Sequence, residues 1–101
     1  MGYLRKDKMK TTVVNIKKNK CDVYIGRPSI FGNPFTIGKH GSRAHVIERY
    51  KIYFYDRLKT DQEFYNAILK LKGKKLGCYC SPLCCHGDVI AKFLNEENPN
   101  E

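Results

Sequence analysis

No run of apolar residues in this 101-residue chain approaches the ~18 consecutive positions that a membrane span requires, so no membrane partner is expected. The charged opening, residues 1–10, has no apolar h-region, and no secretory signal is expected either. Internal repeats, low-complexity tracts and linkers are all missing, which leaves one domain. A chain of this size buries roughly two-thirds of the surface its unfolded form exposes, so it can build a core without disulfides. Cysteine is scarce outside one short segment: of five, four lie within residues 78–85. That clustering argues against a framework of long-range bridges. Without export, the cysteines read as thiols or metal ligands before disulfides, in a cytoplasmic protein.

Acidic side chains are the other shortage, 10 against 19 basic ones, for a formal net charge of +9. The excess is uneven. Residues 1–20 hold Arg5, Lys6, Lys8, Lys10, Lys17, Lys18 and Lys20 against Asp7 alone, a net +6, while the other 81 residues carry a net +3. A second basic cluster comprises Lys70, Lys72, Lys74 and Lys75. Such a field attracts nucleic acid or steers phosphorylated small molecules. A lysine-rich solvated surface has the same composition with no ligand at all.

What is present reads as a small α/β domain. Residues 1–10 form a basic lead-in, residues 11–95 the domain, and residues 96–101 a polar tail; fraying is expected from Asn95 onward. The β-branched run Thr12-Val13-Val14-Asn15-Ile16 and the run Asp22-Val23-Tyr24-Ile25 read as strands. Residues 26–41, with four glycines and two prolines, form a long loop that Ile30, Phe31, Phe35 and Ile37 can anchor to the core. Ser42 is a good N-cap for a helix reaching about Lys59, with Ile47, Tyr50, Phe54 and Leu58 on one apolar face, widened by Val46 and Tyr53. Asp61 caps a second helix bearing Phe64, Tyr65, Ile68, Leu69 and Leu71, which Gly73 ends. Lys75 to Cys80 reads as a third strand, parallel to an earlier one because a helical crossover precedes it. A last helix runs from about Asp88 to Asn95 and buries Val89, Ile90, Phe93 and Leu94. The expected fold is a short mixed sheet of about three strands packed with three helices, in the order β-β-α-α-β-α.

Two segments can carry chemistry. In residues 26–35, Gly26 and Gly32 can bring bare backbone N–H groups close to an anion. Arg27 can grip a phosphate or carboxylate with two N–H groups, and Ser29 and Asn33 offer directional hydrogen bonds. His40 and Arg43 lie near the start of the first long helix, where negative charge is favoured. The segment is not a Walker phosphate loop. A rigid turn, with Asn33 capping a neighbouring carbonyl, accounts for the same residues.

Residues 78–88 (CYCSPLCCHGD) admit three readings. Zinc can take thiolate and imidazole ligands from Cys78, Cys80, Cys84, Cys85 and His86, although two separated CxxC knuckles are lacking. Alternatively, Cys85 sits just before a helix whose dipole would lower its pKa, and as a thiolate it becomes a nucleophile with His86 or Asp88 handling protons. Third, Cys78 and Cys80 alternate on a strand as packed thiols, and Asp88 is only a helix cap. The lone Cys21 reads as packing. Both segments are expected to emerge at strand C-terminal ends, where open α/β sheets bind ligands.

The runs Val23-Tyr24-Ile25-Gly26-Arg27-Pro28-Ser29 and Phe31-Gly32-Asn33-Pro34-Phe35, then Gly73-Lys74-Lys75-Leu76-Gly77-Cys78-Tyr79-Cys80, and finally Pro82 with Cys85-His86-Gly87-Asp88-Val89-Ile90, follow one another in this order. Together they resemble the domain of unknown function 4326 family, small proteins of phages, other viruses and microbes. The resemblance covers roughly residues 13–94, and the family's pattern matches the chain at Cys78, Cys80, Cys85 and His86, with Cys84 an addition. It implies that the glycine-asparagine loop and the Cys-His-Gly-Asp turn belong to one unit. It also implies a host-cell interior and a setting in which nucleotide, nucleic-acid or defence-related chemistry is expected.

The leading expectation is a domain that binds or acts on a nucleotide, nucleoside or related phosphorylated ligand. Gly26, Arg27, Ser29, Gly32, Asn33 and Arg43 would bind it. Cys85, His86 and Asp88 would form the reactive end, and Asn33→Ala would abolish binding while sparing the fold. Zinc is the candidate cofactor, on Cys78, Cys80, Cys85 and His86. The alternative is a non-enzymatic, zinc-stabilised module that binds nucleic acid through its basic face. A third reading is a viral adaptor for a host protein.

Overall fold

The elements of the computed structural model, which describes residues 10–79 and 85–97, follow the expected order β-β-α-α-β-α. The residues before Lys10 and those after Glu97 lie outside the described residues, as do Cys80 and Cys84.

Three short strands make the sheet: β1 (Thr12–Asn15), β2 (Val23–Tyr24) and β3 (Lys75–Cys78). The central strand is β3, with β1 on one side and β2 on the other. Both pairings are parallel, Thr12 to Lys75 through Asn15 to Cys78, and Val23 to Leu76 with Tyr24 to Gly77. The sheet is thus wholly parallel, where a mixed one was expected. The reason lies in residues 16–22. They do not fold back as a hairpin; they pass over β3 and deliver β2 to its far side. Gly77 is the crossing point. A Cβ there would lie 2.5 Å from both Ile16 Cγ2 and Cys21 Sγ, so only glycine leaves the passage open.

Side chains alternate across a strand, so Leu76 and Cys78 face away from that crossing and enter the helical side. The core there contains Ile25, Tyr50, Phe54, Phe64, Ile68, Leu76, Ile90 and Leu94. Helix α1 (Arg43–Thr60) starts at Ser42, whose hydroxyl accepts the His45 N–H at 3.3 Å. Its buried seam is Val46, Tyr50 and Phe54, four residues apart. Ile47, Tyr53 and Leu58, expected on that face, are half-buried beside it. Asp61 joins two helices. Its N–H closes α1 on the Arg57 carbonyl, and its carboxylate caps α2 (Gln62–Leu69) through the Phe64 N–H at 3.0 Å. The Phe64 hydrogen bond, and after it one from the Arg57 guanidinium at 3.2 Å, hold the Asp61 carboxyl below the usual carboxylate range. Gly73, at φ 81°, then turns the chain into β3.

Helix α3 (His86–Lys92) begins two residues earlier than Asp88. Cys85 is the N-cap, and Asp88 three positions on reaches back to the Cys85 N–H at 3.1 Å, a capping box. Asp88 does cap the helix, but from inside it. Beyond Lys92 the chain widens into a π-helical turn, Phe93–Glu97. Asn95, expected to fray, is fixed: its side-chain oxygen accepts the Thr11 N–H and its amide donates to the Thr11 carbonyl, both at 2.8 Å. Thr11 in turn accepts the Gly73 N–H through Oγ1 at 2.8 Å. These bonds lock the first strand to the last turn. Among the described residues, no helix is long and apolar enough to cross a membrane.

Two consequences are measurable by urea unfolding. Gly77→Ala should destabilise the domain by about 1–3 kcal/mol through overpacking of the crossing, with an unchanged m-value. Asn95→Ala should cost about 1–3 kcal/mol, because it leaves both backbone groups of the buried Thr11 without their partners.

Candidate functional site

The parallel register sets the C-terminal ends of β2 and β3 side by side, as expected for a ligand-binding edge. From β2 the chain runs into Gly26 and Arg27, and from β3 into Tyr79. Between these ends and the start of α1 lies a cavity of about 330 Å³. Seven of the candidate residues line it: Gly26, Arg27, Asn33, Arg43, Cys78, Cys85 and His86. The two distant sequence segments therefore share one cavity wall.

Loop 26–41 keeps its shape through internal hydrogen bonds. The Tyr24 hydroxyl donates to the Arg27 carbonyl at 3.0 Å, and a Cβ on Gly26 would collide with the Tyr24 ring. The Arg27–Pro28 peptide is cis. Ser29 accepts the Phe31 N–H at 3.3 Å, and the buried Tyr50 hydroxyl donates to the Phe31 carbonyl at 3.0 Å. Burial raises the Tyr50 pKa strongly, which keeps its phenol protonated as that donor. Asn33 uses both ends of its amide, donating to the Val46 carbonyl at 3.2 Å and accepting the Phe35 N–H at 2.9 Å. His40 accepts the Thr36 N–H on Nδ1 at 2.9 Å and meets Phe35 edge-on. The Arg49 guanidinium covers the Phe35 ring at 4.4 Å.

On the opposite wall, His86 Nε2 lies 2.7 Å from the Ile25 carbonyl. A carbonyl only accepts, so this nitrogen carries the proton and Nδ1 keeps the lone pair. The ring also packs edge-on against Tyr50, with centroids 5.2 Å apart. Burial, with a smaller contribution from Arg27, holds its pKa below the ordinary 6.5; the bond to Ile25 and the charge of Asp88 act the other way. His86 is therefore neutral at pH 7. Beside it, Cys78 Sγ and Cys85 Sγ are 3.3 Å apart and both buried. Burial pushes the Cys85 thiol up, and the neighbouring Cys78 pushes it further. The expected depression by the helix dipole is outweighed, because seven helical residues cannot offset the loss of water around the sulfur. Cys85 rests as a protonated thiol.

Three candidates stand apart from the cavity. The Ser29 hydroxyl is spent on its own turn, Gly32 is packed against Arg27, and Asp88 is in the capping box. Of the proposed zinc ligands, Cys80 lies outside the described residues. Cys78, Cys85 and the Nδ1 of His86 are the groups here with a lone pair to offer. Among the described residues, no group of three or more His, Cys, Asp or Glu is arranged to hold a metal ion. Tyr24, Tyr79, Thr36 and Ile37 also line the cavity; the sequence reading held the last three within loop 26–41 and residues 78–88 without giving them a role in the site, and left Tyr24 outside both. The available signal was position: Tyr24 ends β2 and Tyr79 directly follows β3.

Comparison with known proteins agrees with the motif pattern. The profile of the domain of unknown function family DUF4326 matches residues 8–96. An uncharacterised 12.4 kDa protein from the nrdA-td intergenic region of Enterobacteria phage T4 is 42% identical over 84 residues, covering 82% of this chain and 76% of its own. An uncharacterised protein of Acanthamoeba polyphaga mimivirus is 34% identical over 105 residues, covering 80% and 77%. No solved structure matches.

The site makes two predictions. Asn33→Ala should destabilise the fold by about 1–2 kcal/mol, since it strips partners from Val46 and Phe35, where the sequence alone suggested that the fold would be spared. Because the unfolded chain protonates His86 near 6.5 and the folded one at a lower pH, its contribution is fully present above about pH 7. It is lost as pH falls through 6.5 toward the folded value. Urea titrations between pH 7.5 and 5.5 should show this loss, and His86→Gln should flatten it.

Proposed function

The chain belongs to the domain of unknown function 4326 family, and we propose that its cavity binds a nucleotide, nucleoside monophosphate or closely related phosphorylated ligand. The observation that carries the reading is the charge of the wall. Arg27, Arg43 and His86 line the cavity, and among the described residues no carboxylate does. A concave site lined by two guanidinium groups favours an anion, and arginine's planar fork fits the oxygens of a phosphate. Arg27 gives one of its N–H groups to Thr36 Oγ1 at 3.1 Å, which aims the side chain along the rim.

Size and lining narrow the ligand. A volume of about 330 Å³ is at the small end for organic ligands and suits a mononucleotide better than a dinucleotide. Tyr24, Phe35 and Tyr79 supply aromatic surface for a base. Tyr24 and Tyr79 meet edge-on, with centroids 6.1 Å apart. Asn33 contributes as a wall, because its hydrogen bonds fix the loop that carries Arg27. The neutral imidazole and the protonated thiol make the cavity, at rest, a binding site with latent acid-base groups.

Isothermal titration with the four common ribonucleoside monophosphates, and with inorganic phosphate as a minimal probe, tests the reading. At least one monophosphate should bind with one-to-one stoichiometry. Arg27→Ala and Arg43→Ala should each weaken it about tenfold or more, equivalent to about 1.4 kcal/mol, with the circular dichroism unchanged. Affinity that is indifferent to both arginines would overturn the assignment. Tight binding of a single-stranded oligonucleotide alone, falling steeply with salt, would replace it with the nucleic-acid module.

A further inference from the structure

We propose that Cys78 and Cys85 are a redox-active dithiol, a modification site in the cavity wall that closes to an intramolecular disulfide. The inference rests on the placement of the two sulfurs and is independent of which ligand the cavity takes. Their Sγ atoms are 3.3 Å apart. A disulfide needs about 2.05 Å, so the sulfurs must approach by only about 1.2 Å, which side-chain rotation can supply.

Both backbones are held. Cys78 is the last residue of the central strand, which is hydrogen-bonded on both sides. The Cys85 N–H is held by Asp88, and the next residue is tied to Ile25 through His86 Nε2. The residues are 2% and 3% exposed and both line the cavity, which is the route assigned to the sulfur of a small reagent. Cys21 does not compete, because its sulfur abuts Gly77 on the crossing face of β3, away from the side chain of Cys78.

The co-reactant is a low-molecular-weight disulfide such as oxidised glutathione. One protein thiol gives up its proton and, as thiolate, attacks a sulfur of the reagent. One glutathione leaves as thiolate, takes up a proton, and a mixed disulfide remains on the protein. The second protein thiol, deprotonated in turn, attacks the protein sulfur of that mixed disulfide and expels the second glutathione. The protein loses two hydrogens and two electrons, and the glutathione disulfide is reduced to two thiols.

The test equilibrates the full reduced chain in mixtures of oxidised and reduced glutathione, alkylates the remaining thiols, and maps non-reduced peptides by mass spectrometry, with metal content measured in parallel. The expected product has lost two hydrogens and two of its five alkylatable thiols, with Cys78 linked to Cys85. Cys78→Ser and Cys85→Ser should each stop at a glutathione adduct on the surviving partner. Five free thiols across the whole series, a link to Cys80 or Cys84 instead, or a bound metal that shields Cys78 and Cys85 would each overturn the proposal. Nucleotide titration of the reduced chain is read separately, so either inference can fail without the other.

Discussion

The hydrogen bond from His86 Nε2 to the Ile25 carbonyl, 2.7 Å long, joins two parts of the chain that are 61 residues apart. Ile25 directly follows β2 and opens into Gly26 and Arg27; His86 is the first residue of α3. The bond adds a directed link to the close packing of Gly87 on Ile25. With it, the imidazole is fixed in one tautomer, stacked edge-on to Tyr50, and the loop that carries Arg27 is set against the turn that carries Cys85. Gly87 makes the approach possible: a Cβ there would lie 2.7 Å from Ile25 Cδ1 and 3.2 Å from Val13 Cγ1. The His-Gly pair therefore has one physical task in two parts, close contact from the glycine and a directed bond from the histidine.

Once those two segments are joined, the character of the cavity follows from what each brings. The loop brings arginine and a backbone braced by Asn33, Tyr24 and Tyr50. The turn brings the Cys85 thiol, beside that of Cys78 at the end of β3, and a neutral imidazole. The nearby carboxylate of Asp88 is turned to the capping box of α3 and is not among the residues of the wall. Two of the chain's basic side chains, Arg27 and Arg43, thus come together in the wall of a cavity at the C-terminal edge of a parallel sheet. The same rigidity holds two sulfurs near bonding distance.

Element types and their order were legible because local chemistry agreed with them. Ser42 and Asp61 are N-caps in the structure as their residue types suggest, and Val23-Tyr24 stops where Gly26 permits a turn. The meeting of the two motifs was also legible, from strand-end position. What escaped was non-local. Asn95 looks like a tail residue until Thr11 is seen opposite it, and nothing near Asn95 in sequence signals that partner. The wholly parallel sheet depends on Gly77 opening a passage for residues 16–22, which spacing alone does not reveal. For Cys85, the helix dipole was visible in sequence and the burial that outweighs it was not.

The most direct test of the account is a nuclear magnetic resonance titration of the 15N-labelled chain with a nucleoside monophosphate. If the joined segments form the binding site, shifts should concentrate on the amides of Tyr24, Gly26, Arg27, Asn33, Tyr79, Cys85 and His86. They should move together with a single affinity, as one wall responding to one ligand. Shifts confined to a second depression, lined by Glu63, Asn66, Lys70 and Lys74, or affecting one of the two segments without the other, would contradict it.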